Sequence, residues 1–371
     1  MPGGPLAGTR VLDLSTVVSG PLCTQILGDL GADVVKIESP AGDTARYLGG
    51  ARKAEMTGFF VQWNRNKRSV VLDLKKEPAR AAVRRLAERA DVLVENFRPA
   101  VMERLGLGWE ALGRANPRLV YVSINGFGSS GPDSDQPAYD MVIQARGGFA
   151  KLLGSDAAPK LISNLIADKT SGLTAAWATL AALLAREKNG RGQHVEVPML
   201  DAFAAFVLPD VLGARAFGEP PSTAALAQNL YHAWPTADGF VVVVVIEDRQ
   251  FEALCRTIGR DDLVGEARYA TLLGRLSNAA ELVERARRFG APLAAVNGLD
   301  DFLADAQVRA NETVLELERP ETGPVPVLRS APRFGATPSP APRPAPLLGE
   351  HTAEVLREAG FSAAEIASLA G

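Results

Sequence analysis

The stretch RVLDLSTVVSGPLCTQILGDLGADVVKIE, residues 10–38, decides the fold. Arg10 to Leu14 reads as a strand, Pro21 to Leu30 as a helix and Asp33 to Glu38 as a second strand, with Gly, Pro and Ser marking the breaks. The same unit then repeats outward. Ser69 to Leu74 (SVVLDL) is a strand, Pro78 to Arg89 a helix with Ala82, Val83 and Leu86 on its apolar side, and Asp91 to Glu95 (DVLVE) a strand. Helical segments at Val101 to Leu105 and Trp109 to Arg114 lead to one more strand, Leu119 to Ile124 (LVYVSI). Strands alternating with helices imply an α/β fold, Rossmann-like, whose mainly parallel sheet is covered on both faces. Such sheets take ligands beyond the carboxyl ends of their strands, here STVVSG (15–20), ESP (38–40), NFRP (96–99) and NGFG (125–128). The first βα turn lacks GxGxxG and no GxxxxGK[ST] occurs, so neither a nicotinamide dehydrogenase nor a P-loop enzyme is indicated.

Residues 161–192, LISNLIADKTSGLTAAWATLAALLAREKNGRG, hold the feature that calls for chemistry. The polar cluster Ala167 to Gly172 can cap a helix, Leu173 to Lys188 are good helix formers, and Asn189-Gly190-Arg191-Gly192 supplies a stop. Leu173, Ala176, Trp177, Leu180, Leu183 and Leu184 recur at helical spacing with alanines between them, so the helix is expected to be buried nearly all round. Asp168 at its mouth has two readings, an N-cap or a carboxylate that attacks a carbonyl, and helix-end amides would keep it ionised in either role.

Composition narrows the function. A balance of 40 basic against 43 acidic residues argues against a general nucleic-acid binder. Cys23 and Cys255 are far apart and the histidines 194, 232 and 351 are scattered, so neither a disulfide framework nor a metal site is suggested. No run reaches the roughly 20 apolar residues that a membrane helix needs, and the amino terminus lacks a signal-peptide core. A cytoplasmic protein is expected. The basic groups at Asn64 to Arg68, Lys75-Lys76, Arg98 and Arg104 suit either solvated loops or the phosphates of a cofactor.

After the central helix, His194 to Leu200 reads as a strand and Asp201 to Leu212 as a helix. Residues 1–216 are thus read as the large domain's first part, 217–227 as a linker and 228–319 as a small domain, with Val241 to Ile246 (VVVVVI) a buried strand and Arg249 to Ile258 a helix. The proline-rich run 320–346 is read as an extended return segment, and residues 320–371 as the rest of the large domain.

The stretches VLDLSTVVSGPLCTQILGDLGADVVKIESPAGD, NRNKRSVVLDL, DVLVENFRPAVMERLGLGWEAL, NLIADKTSG, ALLAREKNGRGQHVEVPMLDA and PLLGEHTAEVL now fall in an order that is distinctive. From about Leu6 to the end the chain resembles the class III CoA-transferases, the CaiB/BaiF family. The resemblance implies a Rossmann-like domain built from both ends of the chain, a smaller inserted domain, and an interlocked homodimer. It implies that Asp168 is the nucleophile and that Val17, Val18, Leu72, Lys75, Asn96, Phe97, Arg98 and Arg104 contact coenzyme A. The reaction implied moves CoA from an acyl-CoA donor to a carboxylic acid through an aspartyl anhydride and an aspartyl-CoA thioester, with CoA a substrate and no tightly bound cofactor. Backbone amides near Gly147-Gly148 or Val17 to Ser19 are candidate oxyanion donors.

In the racemase branch of the family a histidine in a GHD-like motif pairs with the aspartate. Here the motif is Ala138-Tyr139-Asp140-Met141, and a neutral tyrosine of pKa near ~10 is a poor base at pH 7. Transfer is therefore preferred to racemisation, and Tyr139 either lines the acyl pocket or packs in the core. The small domain also lacks the glycine-rich run of some transferases and is short between Arg275 and Asn297. A CoA-binding subunit without catalysis is a further alternative.

Overall fold

The computed structural model describes residues 3–210, 212, 232–264 and 279–370. The chain divides into two compact units, one of Met1–Pro209 with Glu312–Gly371 and the other of Asp210–Asn311. The first unit is built on strands β1 (Arg10–Asp13), β2 (Asp33–Glu38), β3 (Lys67–Val71), β4 (Val92–Glu95), β5 (Val120–Asn125) and β6 (His194–Pro198). They lie in the order β3-β2-β1-β4-β5-β6, and every neighbouring pair is parallel. This is the doubly wound Rossmann order.

Alternation along each strand feeds two cores. Val11, Val34, Val92, Val120 and Val122 point to one face, where they meet Cys23 and Leu27 of α1 (Ser19–Asp29). Leu12, Val35, Leu93 and Tyr121 point to the other, against Ala79, Ala82 and Val83 of α2 (Glu77–Ala87) and Leu112 of α3 (Trp109–Ala115). With both faces covered, the strands read as continuous Val/Ile/Leu runs. On the first face also lie α4 (Asp140–Arg146), α5 (Ile166–Asn189) and α6 (Met199–Val207), through Ile143, Ala175 and Phe203.

The long helix α5 departs from expectation in two ways. It starts at Ile166, so Asp168 is inside its first turn and is not the N-cap, which is Leu165. Thr170 and Ser171 do not break it because their hydroxyls donate back to the Ala167 carbonyl, at 3.1 and 2.6 Å. Nor is the helix buried all round. Its small residues, Ala167, Ser171, Gly172, Ala175, Ala176 and Ala182, form the buried stripe, whereas Leu173, Trp177 and Leu184 face out, the last two 62% exposed. The reason is the close crossing with α1: a Cβ on Gly172 would stand 2.6 Å from the Ser19 carbonyl oxygen. Gly190, at φ 75°, ends the helix as a left-handed cap.

The basic run at residues 64–68 is neither a solvated loop nor a phosphate cradle. Arg65, Asn66, Lys67 and Arg68 are all buried. Arg65 pairs with Asp29, Lys67 with Asp13 at 2.9 Å, and Arg68 with Asp33, Glu354 and Glu358. Burial demands such pairing, because a charge removed from water needs a counter-charge and hydrogen bonds. Glu354 and Glu358 belong to α9 (Thr352–Glu358), which ties the carboxyl-terminal segment to the sheet.

The proline-rich return segment contains a strand. Val314–Arg319 (β10) and Gly323–Leu328 (β11) form an antiparallel hairpin in which Pro324 faces Glu318 and Pro326 faces Glu316. A two-stranded hairpin tolerates proline because it leaves N–H positions that no neighbour uses. The hairpin belongs to the first unit, so the boundaries expected at 216 and 319/320 fall at 209/210 and 311/312.

The second unit has a three-stranded antiparallel sheet, β9-β8-β7, of Ala233–Pro235 (β7), Phe240–Val243 (β8) and Leu293–Ala295 (β9). Helices α7 (Asp248–Thr257) and α8 (Ala279–Phe289) accompany it. The expected buried strand Val241 to Ile246 ends at Val243, and Ile246 is 73% exposed. Antiparallel pairing covers one face only, so Val241 and Val243 are buried and Phe240 is not. The linker 217–227 lies outside the described residues, as do 275–278 of the shortened stretch.

Candidate active site

The strand order reverses between β1 and β4, which opens a crevice at their carboxyl ends. Asn96, just past β4, clasps the turn after β1: its Oδ1 accepts from the Thr16 N–H and its Nδ2 donates to the Thr16 carbonyl, each at 2.8 Å. The next residue, Val17, has φ 67°, a left-handed conformation that a β-branched residue resists. Its N–H donates to Asp43 Oδ1 at 3.1 Å, which helps to hold the turn. Strain of this kind persists where surrounding structure enforces it, commonly at functional sites.

Below the turn lies a cleft of about 380 Å³ whose lining includes Thr16, Lys36, Leu72, Lys75, Phe97 and Leu105. Of the residues that the resemblance implied for CoA, the fold thus brings Leu72, Lys75 and Phe97 together in one cavity. Val17 and Asn96 form the turn at its edge, and Val18 is fully buried, leaving only its backbone to meet a ligand. Arg98 and Arg104 are exposed and do not line the cleft.

A cluster of buried charges stands behind this cleft. Lys36 Nζ donates to the Ser15 carbonyl at 2.7 Å and pairs with Asp43 at 2.9 Å, while Lys67 bridges to Asp13. Burial alone would raise the Asp13 carboxyl, but Lys67 and then Lys36 overcome it and hold it well below the ordinary carboxylate range. Glu38 accepts two guanidinium hydrogen bonds from Arg46, at 2.8 and 2.7 Å, and is likewise lowered. Sequence reading missed this cluster, although Asp13 within VLDL and Lys36 within VVKI, charges inside apolar strands, were its signal.

Asp168 sits one turn before Gly172 on the same face of α5, which directs it toward the α1 start that Gly172 abuts. It is half-buried. Its backbone N–H donates to Asp140 Oδ2 at 3.0 Å, and Asp140 Oδ1 accepts from Gln144 at 2.5 Å. Gln144 also bonds the Ile162 N–H at 2.9 Å and the Asn164 carbonyl at 3.0 Å, so α4 fixes the segment that leads into α5. Among the described residues no cation forms an ion pair with Asp168. Burial, and then the Asp140 carboxylate, push its pKa up to about 7, against the expectation that helix-end amides keep it ionised near neutral pH. A carboxylate poised near neutrality, uncompensated and partly dry, is suited to nucleophilic attack.

Tyr139 precedes α4 and is 66% exposed, so of its two readings the core one is excluded. The Gly147 N–H donates to the Ile143 carbonyl at 2.8 Å, and a Cβ there would lie 2.5 Å from the Phe203 ring. Gly147 is therefore a packing residue with its amide already used, while Gly148 takes the left-handed turn at φ 76°. The Val17 amide is also taken, by Asp43. Among the described residues no cluster of three or more His, Cys, Asp or Glu could hold a metal, and no helix is long and apolar enough to cross a membrane.

A family model described as CoA-transferase family III matches residues 6–352. The chain belongs to CoA-transferase family III. It is 34% identical to a succinate–glutarate CoA-transferase of Agrobacterium fabrum, over 95% of each chain. It is 35% identical to a succinyl-CoA:mesaconate CoA-transferase of Haloarcula marismortui, over 96% of this chain and 97% of that one. A crystal structure of a CaiB/BaiF family protein from Brucella suis matches with a TM-score of 0.83 and 32% identity, covering 96% of this chain and all of that one. The protein is accordingly an enzyme of the class III acyl-CoA:carboxylate transferases, with acyl-CoA and a carboxylic acid as its substrates.

Proposed function

We propose that the enzyme moves coenzyme A from succinyl-CoA, or a similar dicarboxylic acyl-CoA, to a second dicarboxylic acid, with Asp168 as the covalent carrier. The observation that carries this reading is the Asp168 carboxyl, half-buried one turn from Gly172 at the α1 start, raised to about 7 by burial and Asp140, with no ion pair to it among the described residues. The substrate class comes from the relatives, whose names specify succinate, glutarate and mesaconate.

Asp168 attacks the thioester carbonyl, the C–S bond breaks, and an acyl–aspartyl anhydride and CoA thiolate result. The thiolate attacks the aspartyl carbonyl, releasing the first acid and leaving an aspartyl-CoA thioester. The acceptor carboxylate then repeats the exchange in reverse, and Asp168 is regenerated. No net proton or electron is consumed. Splitting the transfer in this way replaces one hard step by easier ones. Leu72, Lys75 and Phe97 hold the CoA in the cleft, with Val17, Val18 and Asn96 at its mouth and Arg98 and Arg104 outside it to meet phosphates.

The exposed stripe Leu173, Trp177 and Leu184 supports an interlocked homodimer, because such large apolar side chains on one helix are costly to leave in water. Buried, unpaired Cys23 and Cys255 fit a reducing cytoplasm.

Incubation with succinyl-CoA and isotope-labelled glutarate tests the function. Labelled glutaryl-CoA and free succinate are expected in equal amounts. Deuterium uptake at the acyl α-carbon without transfer would make the protein a racemase, and CoA binding without either reaction would make it a non-catalytic subunit.

A further inference from the structure

Beside the nucleophile stands a cation that the reaction above does not use. Lys169 is half-buried in the first turn of α5, its Nζ donates to Asn164 Oδ1 at 2.7 Å, and it lies 5.6 Å from the centroid of the Trp63 ring. Among the described residues no carboxylate pairs with it, although nearly every other buried or half-buried basic group near the sheet has such a partner. An ammonium has three donors, and one neutral oxygen with one aromatic face leaves it without a charged partner among the described residues. Nearby, the Trp63 Nε1–H is buried without a hydrogen-bond partner.

A dicarboxylic acid presents the complementary problem. While one carboxyl reacts at Asp168, the other must leave water and needs a counter-charge. Successive helix residues project about 100° apart, so Lys169 flanks the reacting carboxyl without quenching it. Its flexible stem lets the ammonium follow acids of slightly different length.

We propose that Lys169 is the specificity-determining residue for dicarboxylic substrates, taking the distal carboxylate of donor and acceptor while the proximal carboxyl exchanges CoA at Asp168. The assignment rests on the CoA-transfer reading and names the group that selects its substrate class. Lys169 makes no bond to the reacting atoms.

The test compares Lys169→Met with the wild-type enzyme on two matched pairs of substrates, succinyl-CoA with glutarate and butyryl-CoA with pentanoate. Loss of a charge-assisted contact is expected to lower the dicarboxylate-to-monocarboxylate ratio of kcat/KM by about 10- to 100-fold, chiefly through KM, and Lys169→Arg is expected to restore part of it. An unchanged ratio, with both activities equal to wild type or both reduced together, overturns the assignment. So does a wild-type enzyme that transfers CoA between monocarboxylates alone, an outcome that leaves the CoA-transfer reading intact. Absence of transfer with either pair would instead defeat that reading.

Discussion

Two carboxylates in the same unit are treated in opposite ways. Asp13, at the end of β1, is sealed from solvent and receives Lys67, a Thr24 hydroxyl at 2.7 Å and the Ser15 N–H at 3.0 Å, with Lys36 beyond. Asp168, at the start of α5, is half-buried and faces the carboxylate of Asp140. Matching with cations keeps Asp13 ionised and inert, so it serves the framework. Burial, and then the Asp140 carboxylate, raise Asp168 to about 7, and with no ion pair to it among the described residues its charge is left available for chemistry. One chain thus shows that burial alone does not decide a carboxylate's role, and that the sign of its neighbours does.

Substitutions separate the two most sharply in turnover. Asp168→Ala is expected to lower kcat by more than about 10⁴-fold with CoA affinity retained, as steady-state kinetics and titration calorimetry would show. Near-normal turnover would remove Asp168 as the carrier. Asp13→Asn is expected to cost about 3–5 kcal/mol of stability in urea unfolding, because Lys67 would be left buried without its counter-charge, whereas Lys36 keeps Asp43. The effect at Asp168 has the other sign. Its carboxyl titrates at about 7 folded and at 3.8 in an unfolded chain, so charging it opposes folding above pH 4. Asp168→Asn should therefore stabilise the protein at pH 8 by about 1–2 kcal/mol, and the gain should vanish as pH falls toward 4. Destabilisation by Asp168→Asn at pH 8 would erase the contrast.

Two smaller effects refine it. Lys75→Ala in the cleft should weaken CoA binding about 10-fold, and Arg98→Ala less, since Arg98 lies outside the lining. The first-turnover rate should rise with pH through about 7, because only ionised Asp168 attacks. Asp140→Asn removes the neighbouring negative charge and should move that limb to lower pH, a shift that loss of folding alone would not produce.

The sheet was readable because strands covered on both faces carry runs such as VVLDL and DVVKIE. Asp168 was readable as a choice between cap and nucleophile. What the chain conceals locally is set by distant partners. The start of α5 is fixed by Asp140, 28 residues earlier in sequence. The burial of residues 64–68 depends on Asp29, Asp13 and α9, and a basic run has the same composition whether water or carboxylates surround it. The faces of α5 could not be assigned from its alanines, because the crossing with α1 selects small residues for the buried side and turns Trp177 outward.

The most direct measurement is mass analysis of the enzyme after brief mixing with succinyl-CoA and quenching in hydroxylamine. A hydroxamate on the peptide that carries Asp168, absent from Asp168→Ala, is the expected result. An unmodified Asp168 peptide during active transfer, or a label on another residue, would contradict the account.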